Sequence, residues 1–170
     1  MSLPRETLAR YITPGCFWVE TGTRWGDTTI EAVRLGASHA VTIEHDRIFA
    51  ALASQHIEDA LRARAREVYV NFADSAAVLR HMLSAKNPTV IFLDAHTEHE
   101  SRVLGELMAV KDSWEHKPTI ILIDDVRLFR SRQWGISLDD VLAAVRTVGD
   151  YEISYDTGIQ PEDVLVARLR

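Results

Sequence analysis

Apolar residues fall along this chain in short continuous runs that alternate with longer stretches repeating every three or four positions. The runs read as strands and the periodic stretches as helices. Residues 4 to 11 predict a short amphipathic helix, with Pro4 in its first turn and Pro14-Gly15 ending it. A strand at 16–20 follows, then a helix over 27–35 stopped by Gly36, then a second strand in HAVTIEHD with Glu44 at its end. A helix near 46–63, a strand at 66–72 and a helix capped by Asp74-Ser75 and reaching about 84 continue the alternation. Pro88 opens TVIFLD, a helix covers 99–112, and Pro118 opens TIILID. These two runs are apolar on both faces, as central parallel strands covered by helices must be. After a helix from Ser137 to about 148 come YEISYD and DVLVARL, separated by TGIQPE. That connection is too short for a crossover helix, so the pair forms an antiparallel hairpin. The expected fold is α/β: an open doubly wound sheet of seven strands, mostly parallel with a C-terminal antiparallel hairpin, binding ligands beyond the strands' carboxyl ends.

Composition narrows this further. A chain of 170 residues, 46% hydrophobic and 26% charged, suits one domain with a real core. Its parts are a lead-in over 1–15, a ligand-binding core over 16–135, and a helix with the hairpin over 136–170. No apolar run approaches the ~20 residues that span a bilayer, and MSLPRETLAR has no signal-peptide core, so a cytoplasmic protein without a membrane partner is expected. The one cysteine, Cys16, starts a buried strand and reads as core. A net charge of −6 makes a nucleic-acid partner unlikely on electrostatic grounds, since phosphate backbones demand clustered Lys and Arg. Basic residues do concentrate at Arg62, Arg64 and Arg66, where a helix ends, and in a loop at Arg127, Arg130 and Arg132.

Carboxylates mark the ends of the predicted parallel strands: Glu20, Glu44, Asp74, Asp94 and the pair Asp124-Asp125. All converge on one edge of the sheet. A carboxylate after the second strand is placed to accept hydrogen bonds from both hydroxyls of a ribose, while Asp74 reads equally well as a helix cap. The loop FWVETGTRWGDTT carries Gly22 and Gly26 around Thr23, Arg24 and Trp25, before a helix start at Asp27, Thr28 and Thr29. Glycine allows positive φ and close backbone approach, and the helix start favours an anionic group. The spacing G-T-R-W-G does not match the G-x-G-x-x-G turn that cradles a dinucleotide pyrophosphate.

With an acidic residue, a glycine-containing loop and a helix start in that order, the chain resembles the class I methyltransferases that use S-adenosylmethionine, a Rossmann-like family. E-T-G-T-R-W-G-D-T looks like the E-x-G-x-x-x-G-x-[ST] form of the catechol-type O-methyltransferases, and the resemblance runs from about residue 16 to 126 through LDAH and IDDV. It implies an S-adenosylmethionine-dependent enzyme that methylates, most simply, oxygen on a small-molecule acceptor. The alternatives it leaves are a peptide or RNA acceptor, and a non-catalytic binder of the same cofactor. It further implies that Glu20, Gly22, Thr23 and Gly26 shape the cofactor loop, Thr28 holds the methionine carboxylate, Glu44 binds the ribose, and Asp74, Ser75 and Asp94 complete the cofactor site. Asp94, Asp124 and Asp125 match positions that hold a divalent metal in the catechol-type enzymes, and three carboxylates suit Mg²⁺. Those enzymes carry Lys three residues beyond the first ligand, whereas Thr97 stands here.

The loop DAHTEHE supplies other groups for the chemistry, and His96, two residues beyond Asp94, is the expected base or metal ligand. His99 and Glu100 fall in the first turn of the expected helix. For the acceptor, VRLFRSRQWG (126–135) combines Arg127, Phe129 and Trp134 with further arginines, which suits a flat or anionic molecule, and Trp25 is expected at the same pocket. So short a chain has no large lid, and a homodimer is one way such a pocket closes.

Overall fold

The computed structural model describes residues 3–61, 67–82 and 88–170. Arg62, Arg64 and Arg66, and the expected helix ends at 63 and 84, lie outside the described residues. The elements run α1 (Arg5–Leu8), β1 (Phe17–Thr21), α2 (Asp27–Leu35), β2 (His39–Glu44), α3 (Arg47–Leu61), β3 (Glu67–Phe72), α4 (Ser75–His81), β4 (Thr89–Leu93), α5 (Val103–Ser113), β5 (Ile120–Ile123), α6 (Val126–Arg130), α7 (Leu138–Val148), β6 (Tyr151–Asp156) and β7 (Val164–Leu169). They build one seven-stranded sheet in the order β3-β2-β1-β4-β5-β7-β6. β1 to β5 pair in parallel, and β7 is antiparallel to both β5 and β6. The doubly wound sheet with a terminal hairpin is the one expected.

Alternation along the central strands divides the core. Trp18, Phe92 and Leu122 point to the face covered by α1, α2 and α3, and Val19, Ile91 and Ile121 to the face covered by α4, α5 and α7. Cys16 lies in the first of these cores as a buried free thiol. The strand order reverses between β1 and β4, the switch point at which open α/β sheets place ligands. No described helix is long and apolar enough to cross a membrane.

Two elements differ from expectation. The fifth helix begins at Val103, not near 99, because residues 95–102 close into a tight loop. In it Thr97 N–H donates to the Glu100 carbonyl (2.8 Å), Arg102 N–H donates to the Ala95 carbonyl (3.0 Å), and the Thr97 hydroxyl accepts from the N–H groups of His99 and Glu100. His99 and Glu100 therefore sit in the loop, outside the first helical turn. The segment 126–135 is not all loop: its first half is α6, with buried Val126 and Phe129.

Candidate active site

Strand register sets the depth of each acidic group at the carboxyl edge. Leu93 pairs with both Thr21 and Ile123, so Gly22, Asp94 and Asp124 emerge side by side one residue later. Glu20 is two residues deeper, paired with Thr42 and Phe92 inside the sheet. Its carboxylate accepts from the Thr29 hydroxyl (2.5 Å) and the Thr42 hydroxyl (2.8 Å), and Trp18 Nε1 donates to the same Thr29. Glu20 thus ties α2 to the sheet from beneath the loop. Thr28 and Thr23 are buried as well, Thr28 beside Glu20 and Thr23 with its hydroxyl 2.5 Å from that of Thr42. These residues shape the loop from inside.

The glycines of the loop have different neighbours. Both have φ +79°, but a Cβ on Gly22 would lie 2.4 Å from the Asp94 carbonyl oxygen, while one on Gly26 would meet the Ile57 side chain at 2.9 Å. Gly22 therefore seals β1 against β4. Arg24, with φ +49°, takes a left-handed conformation that residues with a side chain seldom adopt. Its N–H donates to Glu44 Oε2, and the N–H of Asp46 donates to Oε1, both at 2.8 Å. Two backbone donors fix the Glu44 carboxylate at the end of β2, and each oxygen keeps a second acceptor site. Asp74 caps α4 by accepting from Ala77 N–H (3.0 Å), with Ser75 buried behind it. Trp25 is 45% exposed and packs edge-on against Phe49, and its carbonyl contacts His56 on α3. It belongs with the Glu44 side of the edge, and is not among the residues that line the cleft beyond β4.

That cleft is lined by Asp94, His96, Glu106, Asp124, Asp125 and Trp134, among others. His96 Nε2 lies 2.8 Å from Asp125 Oδ2 and 3.6 Å from Asp94 Oδ1. Its ring leans on Trp134, with centroids 5.0 Å apart, and Trp134 Nε1 donates to the Thr97 carbonyl (3.0 Å), joining the two loops. The hydrogen bond to Asp125 raises the pKa of His96 against the effect of burial. Burial pushes Asp125 up, yet His96 and Arg127 together hold it below the usual carboxylate range. Arg127 is not free for an acceptor. Its guanidinium is bound to Asp125 Oδ1 (2.7 Å) and to the fully buried carboxylate of Asp163. Phe129 is core and presents only a ring edge to Trp134, and Arg130 lies over Tyr155 beside Glu162. Of the expected acceptor contacts, Trp134 alone borders the cleft with open surface.

The expected metal set does not assemble. Among the described residues, Asp94 groups with His96 and Asp125, whereas Asp124 turns toward Asp125 and Asp163. One oxygen of Asp125 is taken by His96 and the other by Arg127, so the donor set does not fit a divalent ion as that triad would hold it. Asp163 was not expected at the site. It precedes β7, which runs antiparallel to β5 and so starts at the edge where β5 ends, and a carboxylate just before the buried run VLV was its only sequence signal.

Three carboxyls here are charged at a cost. Burial pushes Glu20, Glu106 and Asp124 up to about 7, with Asp125 adding to the effect on Asp124. Glu106 lies near Ser75 and Thr21, but among the described residues neither of its oxygens closes a hydrogen bond. A carboxyl whose folded pKa exceeds its unfolded value contributes stability that is present below the unfolded pKa and lost as pH rises through the folded one. The melting temperature should therefore fall between about pH 5 and pH 8, and Glu106→Gln should remove on the order of 3 kcal/mol of that dependence. A flat profile in the native chain, or an unchanged one in the variant, would mean Glu106 titrates normally.

No family model matches this chain, and no curated protein matches it in sequence. Solved structures do match. A provisionally assigned O-methyltransferase from Nostoc punctiforme PCC 73102 superposes with a TM-score of 0.70 at 9% identity over 97% of this chain, which spans only 55% of that protein. The O-methyltransferase from Bacillus cereus, in complex with S-adenosylhomocysteine, gives 0.64 at 20% identity, covering 98% of this chain and 78% of that one. The B. subtilis tRNA methyltransferase TrmK gives 0.66 at 18% identity, covering 100% and 67%. At these identities the likeness establishes architecture: the chain has the fold of the class I methyltransferases.

Proposed function

We propose that this chain is an S-adenosylmethionine-dependent methyltransferase that methylates an oxygen of a small-molecule acceptor without help from a divalent metal. The observation that carries the cofactor reading is Glu44, whose two oxygens are held by the N–H groups of Arg24 and Asp46 at the end of the second parallel strand. A carboxylate fixed there accepts hydrogen bonds from vicinal ribose hydroxyls. Asp74 and Ser75 lie at the next strand end, for the adenine, and the first turn of α2 after Gly26 suits the methionine carboxylate. Asp94, beside Gly22, flanks the methionine portion. Bound S-adenosylmethionine supplies an electrophilic methyl group on a sulfonium.

The chain's own residues do the rest. His96, with Nε2–H donated to Asp125, takes the acceptor's hydroxyl proton at Nδ1, and the Thr97 carbonyl, 3.4 Å from Nδ1, accepts from the Nδ1–H so formed and favours the imidazolium. Asp125 orients the ring and stabilises the imidazolium, and Trp134 provides a flat face. With Arg127 committed to two carboxylates, and Asp94 and Asp125 at the cleft, an anionic acceptor is disfavoured; a neutral, flat, hydroxyl-bearing molecule fits better.

Methyl-labelled S-adenosylmethionine, incubated with the protein and separately with small phenols, short peptides and tRNA, should label an oxygen of a phenol-like acceptor. Label on tRNA or peptide alone would overturn the small-molecule reading. Glu44→Ala should weaken S-adenosylhomocysteine binding by about 1.5–3 kcal/mol through lost charged hydrogen bonds, measured by calorimetry. An unchanged affinity would remove Glu44 from the ribose.

A further inference from the structure

We infer that Arg127 is the resident cation of this site, a positioning residue whose guanidinium does the structural work that the catechol-type resemblance assigns to a divalent metal. Three buried carboxylates meet behind the cleft: Asp124, Asp125 and Asp163, with one oxygen from each inside a single small cluster. Such a cluster needs a counter-charge, because burying like charges together without one is costly. Arg127 supplies it. One arm of its fork is bound to Asp125 Oδ1 and the other to the Asp163 carboxylate, while its own backbone N–H donates to Asp163 Oδ1 (3.1 Å). The neighbouring Val126 N–H donates to the Asp163 carbonyl (2.9 Å), so α6 is fastened to the turn before β7 at two successive residues.

The oxygens are nearly all accounted for. Asp125 Oδ2 receives His96, Asp124 Oδ1 receives the N–H of Asp125, and of the cluster's oxygens Asp124 Oδ2 is buried without a hydrogen-bond partner among the described residues. A metal ion entering this cluster would have to displace the guanidinium or lie within a few ångströms of it, where two cations repel. Asp125 itself has φ +62°, a left-handed conformation unusual for a residue with a side chain. The bonds to Arg127 on one oxygen and His96 on the other hold it in that conformation, so Arg127 fixes the ring of His96 through Asp125.

The inference relies on the methyltransferase reading only for the purpose of the cation, and its test needs no methyl donor. Melting temperature is measured for the native protein, Arg127→Met and Arg127→Lys, each with EDTA and with millimolar Mg²⁺, Ca²⁺ or Mn²⁺. The native protein should be indifferent to both. Arg127→Met should melt several degrees lower in EDTA and recover a large part of that loss with a divalent ion, which then fills the vacated anionic cluster. Arg127→Lys, which restores a charge but not the fork, should lie between the two and respond weakly to metal. A mere packing role for Arg127 would give a loss that no ion repairs, which overturns the inference. So would a native protein that is stabilised by several degrees on adding Mg²⁺ or Mn²⁺. If Arg127→Met does not fold, the native and Arg127→Lys responses to metal decide. Failure here leaves the cofactor reading standing, and failure to bind S-adenosylhomocysteine leaves this result intact.

Discussion

Replacing His96 with Ala should lower the rate of methyl transfer by about 10²–10⁴-fold, the usual contribution of a positioned general base, while S-adenosylhomocysteine still binds as it does to the native protein. The split follows from where His96 sits. Its ring is held between Asp125 and Trp134 beyond β4, where we propose the acceptor binds, whereas Glu44 and Asp74, the proposed nucleoside contacts, lie across β1. His96→Gln keeps a polar group of similar reach but cannot take a proton at neutral pH, so it should be nearly as slow as the alanine variant. Asp125→Asn should fall between them and the native protein, because it weakens the stabilisation of the imidazolium without deleting the base. Single-turnover rates with a reactive acceptor, alongside calorimetric affinities, separate the two effects. A rate that survives both His96 replacements would mean the acceptor loses its proton elsewhere.

Gly22→Ala should destabilise the fold by about 2–5 kcal/mol, the sum of a left-handed backbone penalty of ~1–2 and an overpacking term of ~1–3. The second term arises because the added methyl would lie 2.4 Å from a backbone carbonyl of Asp94, which has no rotamer by which to yield. Gly15 is the natural control. It too has positive φ, at +86°, but a Cβ there meets nothing within 4 Å, so Gly15→Ala should show the conformational penalty alone. Urea unfolding of both variants isolates the contact between β1 and β4. Equal losses would mean that Gly22 is needed only for its backbone angle. The extra loss in Gly22→Ala over Gly15→Ala should be accompanied by weaker cofactor binding, since the same contact sets the spacing of the loop from Asp94.

The fold was legible because its strands are short apolar runs bounded by Gly, Pro and carboxylates, and because a six-residue link between the last two strands leaves only a hairpin. The convergence of Glu44, Asp74, Asp94 and Asp124 on one edge also followed from strand order. Depth and side-chain commitment did not. Glu20 reads as a strand-end carboxylate, but one residue of register turns it under the loop to Thr29 and Thr42. Arg127 reads as an exposed acceptor contact, but its partner Asp163 is 36 positions away and meets it only because β7 starts where β5 ends. Phe129 reads as loop and is core, because α6 is a single short helix of five residues that starts just after Asp125 and turns Val126 and Phe129 inward. Thr97, the residue standing in place of a lysine, holds its loop closed with its hydroxyl. Its carbonyl anchors Trp134, so the residue that departs from the resemblance joins the loop after β4 to the loop after α6.

Whether this site takes a methionine nucleoside is decided by isothermal titration calorimetry of the purified chain with S-adenosylhomocysteine, S-adenosylmethionine and NAD, each in EDTA and again with Mg²⁺. Saturable binding of both methionine cofactors, unaffected by EDTA and absent for NAD, is the expected result. Binding of NAD with no heat from either methionine cofactor would contradict it.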